Sequence, residues 1–562
     1  MCIKIITNFR GYIYLLVKGI SFLFVLGLSG VSYSLASIID PAERLEREER
    51  QRMVQQELSR LPERVRLAED SGALRFKSFS ETITVHKIEL LGSELLRNML
   101  LRDGKNYLRS YENRFLKAQE LNDFLLELNN LLFKRGYITS RLEIAGYDLK
   151  RSILSIRVQE GRVEELKMSK ANRYTLFPGM LGRKLRASDL EQGLEQFNRL
   201  SSQRGILSLW PGKEVGGSMV SLEFKPIAKP YRLSLTWDNS GDRHIGYNTF
   251  KANFNYDNLL KLNDQLSLVG SKSGFGEDRS TAITWKEEMP IGYYTLGYSG
   301  SYSDSQYDIH PGIKETQSIT NSLKNKLNLS KVIYRNQNHK ISLDTSFWHY
   351  IPHRKIGGID LLWTQQKLSV LDITARHEFY CPDFRIFTEL NYAQGTKLFG
   401  AHKNLLSNRS IYSQRRYKLT SDYLWQVANT VHLNGNLQLQ YAANGLHGTL
   451  KLPMLDEIGG VRGSRTDALT LDDGAILRHD IIFPKIIKRA VISPFLHGDL
   501  GFGRDKESFK GKGLYGAVGA GIKLDLWEFH GRLTISKLLV KPRDVDNRGI
   551  IFLFELSRKI LG

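Results

Sequence analysis

The chain has 562 residues, with 80 lysines and arginines against 59 aspartates and glutamates, a formal net charge of +21 and a mean hydropathy of −0.31. That hydropathy excludes a polytopic helical membrane protein, which needs several runs of about 20 apolar residues, and 10% aromatic with 25% charged residues excludes a wholly disordered chain. Two cysteines, Cys2 and Cys381, provide neither a disulfide framework nor a cysteine zinc site, which leaves a basic soluble protein or an outer-membrane β-barrel, whose hydropathy looks soluble because only alternate residues face lipid.

The cations are spread along the chain and form no dense lysine/arginine run, so nucleic acid is not an expected partner. A basic surface, or loops and a lumen facing anionic lipid or an exported chain, accounts for the charge.

The first 18 residues carry Lys4, Arg10 and Lys18. The apolar stretch 19–31 follows and ends in Ser34-Leu35-Ala36. A charged start, a short apolar core and a small-x-small site form a secretory signal, with cleavage before Ser37. An uncleaved anchor is the competing reading, but the apolar core is short for spanning. Cleavage would remove Cys2 and deliver the chain to a compartment without a nucleotide pool. Residues 42–61 then read as a charged helix. Val54, Leu58, Leu61 and Val65 recur at helical spacing, and Pro62 breaks the run. One apolar stripe with a wide charged remainder suits a helix in a watery channel, and equally a solvated linker helix.

Two compact mixed units come next. Ile83, Val85, Ile88 and Leu90 read as a strand ending at Gly92. Residues 118–134 form an amphipathic helix with Leu121, Leu125, Leu128 and Leu132 on one face, capped by Gly136. Stretches 137–144 and 152–159 alternate as paired strands. Residues 161–226 repeat the order: strand 163–168, helix 187–200, strands 205–210 and 218–224. Neither unit carries paired carboxylates in a cleft, a nucleophile beside a base, or a phosphate loop, so both read as binding modules. Their second strands offer edges for main-chain pairing through Ile138, Thr139 and Ile144 in the first unit and Ile206 and Ser208 in the second.

From Tyr231 the period becomes two. In 431–441, Val431, Leu433, Leu437, Leu439 and Tyr441 alternate with His432, Asn434, Asn436, Gln438 and Gln440. The same alternation holds around Trp237, Tyr298 and Phe529. A soluble sandwich also alternates, but with shorter strands and a mostly aliphatic face. Segments of about ten residues with aromatics toward their ends match a transmembrane barrel, and roughly 330 residues allow about sixteen strands.

The late motifs are specific. Gly459-Gly460-Val461-Arg462-Gly463 resembles the sixth-loop tip of the two-partner secretion outer-membrane transporters, the haemolysin secretion/activation family of ShlB/FhaC type. Asp472-Asp473-Gly474-Ala475-Ile476-Leu477-Arg478 resembles the segment after it, and Phe495 to Gly501 resembles the Phe-x-x-x-Asp-x-Gly strand motif. Asp238-Asn239…Gly246 and Asp257-Asn258…Asp264 resemble the first two barrel strands. Residues 548–554, with Phe552 and Phe554, resemble the targeting signal of outer-membrane barrels.

The resemblance implies a mostly β chain: a transmembrane antiparallel β-barrel of about 16 strands preceded by two small α+β POTRA domains and an N-terminal helix. Its spans are 1–36 signal peptide, 37–70 plug-like helix and linker, 71–160 and 161–228 POTRA domains, and 229–562 barrel. It further implies a periplasmic POTRA pair that binds the N-terminal secretion domain of one exoprotein partner, and a helix that plugs the pore at rest. Arg462 of the loop tip would pair with Asp499, which alternation from Phe495 points into the lumen. The implied surroundings are outer-membrane lipid and, during biogenesis, the barrel-assembly machinery. The implied state is a monomer with haemolysin-activation and porin-like character, no enzyme activity, no cofactor and no metal. An assembly factor of the same superfamily is the alternative, although such factors usually carry more POTRA copies.

Two departures stand out. Ser464 occupies the position where the family usually has an aromatic, and the chain continues past Phe554 either as more strand or as a short basic tail. Gly511 to Gly516 fits G-x-G-x-x-G, but continuing strand alternation follows it instead of a helix. Asp472-Asp473 lacks calcium-loop spacing, and the 13 histidines form no metal-binding helical pair.

Overall fold

The computed structural model describes residues 40–60, 82–169, 172–242, 244–309, 316–361, 364–401, 413–464, 469–545 and 549–562. The export signal at 1–36, with Cys2, lies outside the described residues, as do Leu61, Pro62, Val65 and Arg548.

Helix α1 (Pro41–Ser59) starts where Asp40 accepts a hydrogen bond from the Ala42 amide at 2.9 Å and proline takes the first turn. Only Ala42, Leu45, Val54 and Leu58 are buried along it. The first small domain comprises β1 (Ile83–Val85), β2 (Lys87–Gly92), α2 (Glu94–Asp103), α3 (Lys105–Ser110), β3 (Arg114–Leu116), α4 (Ala118–Lys134), β4 (Arg141–Asp148) and β5 (Ile153–Gln159). Central β5 runs parallel to β2 and antiparallel to β4. Phe124, Leu125, Leu128 and Leu132 of α4 close the core against Leu154, Ile156 and Val158.

The second domain has β6 (Arg162–Met168), α5 (Arg173–Leu176), α6 (Ala187–Asn198), β7 (Gln203–Pro211) and β8 (Gly217–Pro226). Its order is β6-β8-β7, with β8 parallel to β6. The sheet topology of the first domain is therefore repeated around a second core.

The sequence predicts a strand over 137–144. In the structure β4 starts at Arg141, and Ile138 and Thr139 lie before it. Gly136 at φ +85° turns the chain, and its carbonyl accepts from the Ala187 amide. Ile138 packs against the second domain's core, and Gly161 sits so close to Thr139 that a Cβ there would lie 2.0 Å from its Oγ1. These two residues form the joint between the domains and are not available as a strand edge.

The remainder is a closed antiparallel barrel of 16 spanning strands. They are β9 (Tyr231–Asp238), β10 (Thr249–Asp257), β11 (Gln265–Ser273), β12 (Arg279–Ile291), β13 (Tyr294–Ile309), β14 (Thr316–Arg335), β15 (His339–Ile356), β17 (Leu368–Tyr380), β18 (Phe384–Thr396), β19 (Arg415–Ala428), β20 (Val431–Ala442), β23 (Asp473–Ile482), β25 (Ala490–Arg504), β26 (Gly513–Leu526), β27 (Phe529–Val540) and β28 (Ile550–Leu561). Short pieces β16 (Ile359–Asp360) and β24 (Lys485–Ile487) extend the wall, and β21 (Leu452–Pro453) pairs β22 (Thr470–Leu471) inside a loop. The alternation becomes two faces. Leu235, Trp237, Leu296, Tyr298, Leu533 and Ile535 are exposed outward, while Thr236, Ser301, Ser303 and Thr534 are buried inward.

The chain past Phe554 continues as strand. β28 closes the barrel on β9, with Leu556 opposite Trp237 and Arg558 opposite Leu235. Phe554 meets Trp237 edge-on at 4.8 Å, and Phe552 faces outward.

The second domain docks on the barrel turns at 258–264 and 292–293 and on Arg335 and Lys340, which flank the next turn. Asn263 donates to Thr175 Oγ1 at 2.6 Å, Gln192 to the Gly292 carbonyl at 3.2 Å, and Tyr293 to Asp189 at 2.6 Å. At the linker, Asp257 accepts both nitrogens of Arg232 at 2.7 and 2.8 Å and the Ser202 amide at 2.9 Å. On the far side Glu195 of α6 lies 2.9 Å from Lys340 and also pairs with Arg335. Burial alone would raise its carboxyl, but Lys340 and Arg335 reverse the sign and hold it down at about 2.

A carboxyl held below its ordinary value of 4.5 contributes stability that is complete above that value and is lost as pH falls toward about 2. Docking of the second domain is therefore expected to loosen between pH 4.5 and 2, read as faster proteolysis of the 226–230 linker. Glu195→Gln should show that faster cleavage already at pH 7.

Candidate functional site

The loop joining the eleventh and twelfth strands, 443–472, folds back into the barrel. A strip of apolar side chains draws it in. Leu452, Met454, Leu455, Val461 and Leu471 pack on Ile476, Tyr515, Ala517 and Leu538 of the wall. The tip is a tight turn. The Val461 amide donates to the Met454 carbonyl at 2.8 Å, and the Gly463 amide to Glu457 Oε1 at 2.7 Å.

Glycine is required at two places. Gly463 has φ +89°, and a Cβ there would lie 2.7 Å from the Leu538 nitrogen. Gly501 of the strand motif faces the tip, where a Cβ would come within 2.6 Å of Val461 Cγ2. The two glycines let loop and wall approach to contact.

That approach delivers Arg462 to Asp499. The Arg462 Nε donates to Asp499 Oδ2 at 2.7 Å and Nη2 to Oδ1 at 2.6 Å, with the Arg462 backbone amide adding a third bond at 3.0 Å. Arg462 is 2% exposed and Asp499 2%. The geometry is a two-pronged guanidinium–carboxylate pair inside the protein.

Sequence reasoning missed the rest of the set. Asp480 of β23 takes Arg462 Nη2 at 2.8 Å. Arg478, two residues earlier on the same face and opposite Asp499 in register, donates to the loop carbonyls of Glu457, at 3.1 Å, and Ile458. Two guanidinium groups thus face two aspartates, with the Glu457 carboxylate at the same tip. The period-two spacing of Arg478 and Asp480 was visible in the sequence, but their register against Asp499 was not.

Phe495 and His497 share the inward face with Asp499. Phe495 lies under Lys523 and Arg532 at 5.4 and 5.3 Å, and His497 Nε2 bonds Ser536 Oγ at 2.9 Å. Ser464 is buried beside the tip. Asp472 and Asp473 anchor loop backbone: Asp472 accepts the Leu446 and Lys506 amides, and Asp473 the Ala442 amide, each at 2.8 Å.

Helix α1 lies inside the lumen. Its start meets Ser322 and Tyr350, its middle meets Lys251 and Lys324 through Glu48 and Glu46, and Arg50 pairs with Glu389. Near its end, the Leu58 carbonyl accepts from Arg385. It also touches the loop: Arg47 reaches Asp456 at 3.1 Å, and Gln51 donates to the same Ile458 carbonyl that Arg478 holds. A polar cavity of about 1000 Å³ remains around it.

In the small domains, Ile144 lies on β4, and Ile206 and Ser208 lie on β7. Each strand pairs on one side only within its sheet. β4 bulges between Ile144 and Gly146, whereas β7 pairs regularly over its length and exposes Ile206.

The chain matches the haemolysin secretion/activation protein family ShlB/FhaC/HecB over residues 216–524, a ShlB-type POTRA domain over 83–161 and a further POTRA domain over 153–211. It is 26% identical over 470 residues to the outer membrane transporter CdiB of Dickeya dadantii, covering 81% of this chain and 83% of that one. It is 25% identical over 452 residues to the hemolysin transporter protein HpmB of Proteus mirabilis, covering 78% and 80%. The solved structure of CdiB from Escherichia coli shares the fold, with a TM-score of 0.82 at 21% identity over 94% of this chain and 100% of that one.

Removing the Arg462 side chain strands a buried carboxylate, which costs about 3–5 kcal/mol in such settings. Arg462→Ala is expected to free the loop while the barrel still assembles, seen as new protease cleavage within 443–472. Arg462→Lys should behave similarly, because an ammonium cannot reproduce the two-pronged contact.

Proposed function

The chain belongs to the haemolysin secretion/activation family ShlB/FhaC/HecB, and on that premise we propose that it captures one large exoprotein in the periplasm and exports it through the barrel without ATP. Family membership makes it a two-partner secretion transporter of the outer membrane, with its POTRA domains in the periplasm. The identity of the cargo, the energy source and the moving parts are our reading.

The observation that carries it is the unequal way in which two elements occupy the lumen. Loop 443–472 is held by an apolar cluster and a buried ion pair. Helix α1 buries four small or aliphatic side chains and is otherwise held by ion pairs and by hydrogen bonds with Ser322, Tyr350, Arg385 and the Ile458 carbonyl, facing a polar cavity. Those ion pairs are more accessible to water than the Arg462–Asp499 pair, so salt screens them more. The helix is the part that leaves, and the loop is the part that stays as a wall of the path. Export then needs no nucleotide: capture at one end and folding of the cargo at the other give direction. The chain acts as a monomer, reaches the membrane through the barrel-assembly machinery, and carries out no covalent chemistry.

Capture fits main-chain pairing at β7, the regular open edge of the second domain. Ser208→Pro should lower capture of the cargo by the purified protein several-fold, while Ser208→Ala, which keeps the backbone donor, should not. Equal binding by all three proteins would discard the edge-pairing mode.

The wider test compares extracellular and outer-membrane proteomes with and without this chain. Loss of one large secreted protein with other barrels unchanged is expected, and Arg462→Ala should reproduce that loss. A broad decline of outer-membrane barrels would replace export by barrel assembly.

A further inference from the structure

The periplasmic rim of the barrel is not uniform. The second small domain covers the turns at 258–264 and 292–293 and reaches Arg335 and Lys340 beside the next turn. The hairpin joining the twelfth and thirteenth strands is different. It has the sequence Phe483-Pro484-Lys485-Ile486-Ile487-Lys488-Arg489, and residues 485–489 are all exposed. Three cations fall within five residues with no carboxylate among them, and none of the three forms an ion pair among the described residues.

The pairing register says which way this hairpin faces. On β25, Leu496 and Leu500 point to lipid, so by alternation Ile492 and Ala490 do too. Lys485 lies opposite Ile492, and Ile487 opposite Ala490. Both therefore continue the lipid-facing side, beside Phe483, which is also exposed. Lys488, at φ +55°, and Arg489 form the tip. Along that row Lys485 lies between Phe483 and Ile487, and Lys488 and Arg489 follow at the tip, so apolar side chains and three cations are interleaved at the boundary between acyl chains and a leaflet's headgroups. The neighbouring turn continues the arrangement: Trp527 is 71% exposed, and Arg558 lies over the Phe529 ring at 5.0 Å. Lysine and arginine at such a level reach headgroups while their stems stay in the apolar layer, and aromatic rings settle at the same depth.

We propose that the hairpin 483–489 is a binding site for an anionic phospholipid of the periplasmic leaflet, with Lys485, Lys488 and Arg489 on the phosphate headgroup and Phe483 and Ile487 against its acyl chains. The site lies on the half of the rim that the second domain leaves uncovered. It holds that face at a fixed depth in the bilayer while the opposite face carries the periplasmic domains. The inference rests on the outer-membrane placement of the barrel and not on export, so it stands or falls without a cargo.

The test is retention of lipid by the purified full chain in detergent, read by native mass spectrometry with equal phosphatidylglycerol and phosphatidylcholine. The expected result is selective retention of phosphatidylglycerol. The ratio should fall about a hundredfold in Lys485→Gln/Lys488→Gln/Arg489→Gln, since each cation near an anionic headgroup is worth about fivefold in affinity. Heat-modifiable migration checks that the barrel is folded. Lys488→Gln alone should lower the ratio in part, and exchanging lysine for arginine at 485 and 488 should preserve it. Equal retention of both lipids by the unaltered chain, or an unchanged ratio in a folded triple variant, overturns the proposal. So does equal retention of inorganic phosphate in place of the lipid.

Discussion

The arrangement of this barrel's lumen depends on one buried charge pair. Arg462 sits almost fully out of water, and a guanidinium there is tolerable only because Asp499 meets it with two parallel bonds and Asp480 takes a third. The desolvation cost of such a pair is large. It is offset by the apolar strip that brings the loop to the wall and by the two glycines that allow close approach. The pair therefore sets the position of the tip more than it adds stability: any other seating of loop 443–472 would strand a carboxylate.

The tip in turn positions the lumen's second occupant. The Ile458 carbonyl accepts from Arg478 of the wall and from Gln51 of α1, and Asp456 reaches Arg47. Loop and helix thus share contacts, but they are fixed by different physics. Burial of apolar surface at about 25 cal/mol per Å² is not screened by salt, whereas ion pairs lining a wet cavity are. One barrel thus contains a loop seated on an apolar strip and a helix held mainly by polar contacts.

The periplasmic side follows the same economy of contacts. Asp257 ties the linker, the second domain and β9 together in one cluster, and Glu195 joins α6 to β14 and β15. The small domain is thereby attached to the strands and turns between β10 and β15, and the rest of the rim is left to the bilayer. The edge β7 follows from the β6-β8-β7 order of that domain's own sheet, and the cationic hairpin at 483–489 lies among the turns the domain leaves uncovered.

Much of this was legible in the residues alone. The period of two through Val431–Ala442 and its neighbours reports a wall with one apolar and one wet face, because the pleat forces alternate side chains apart. The motif around Arg462 and the alternation from Phe495 to Gly501 put a cation and an inward carboxylate on the page before any fold. What local pattern cannot carry is the meeting of distant segments. Asp480 and Arg478 entered the site through the register of β23 on β25, Ile138 moved from a strand edge to a joint between domains, and α1 proved to lie inside the lumen. Periodicity is set by backbone geometry over a few residues, so the sequence determines it directly. Register, closure and the seating of one element within another arise from contacts between residues hundreds of positions apart, and only the closed barrel decides them.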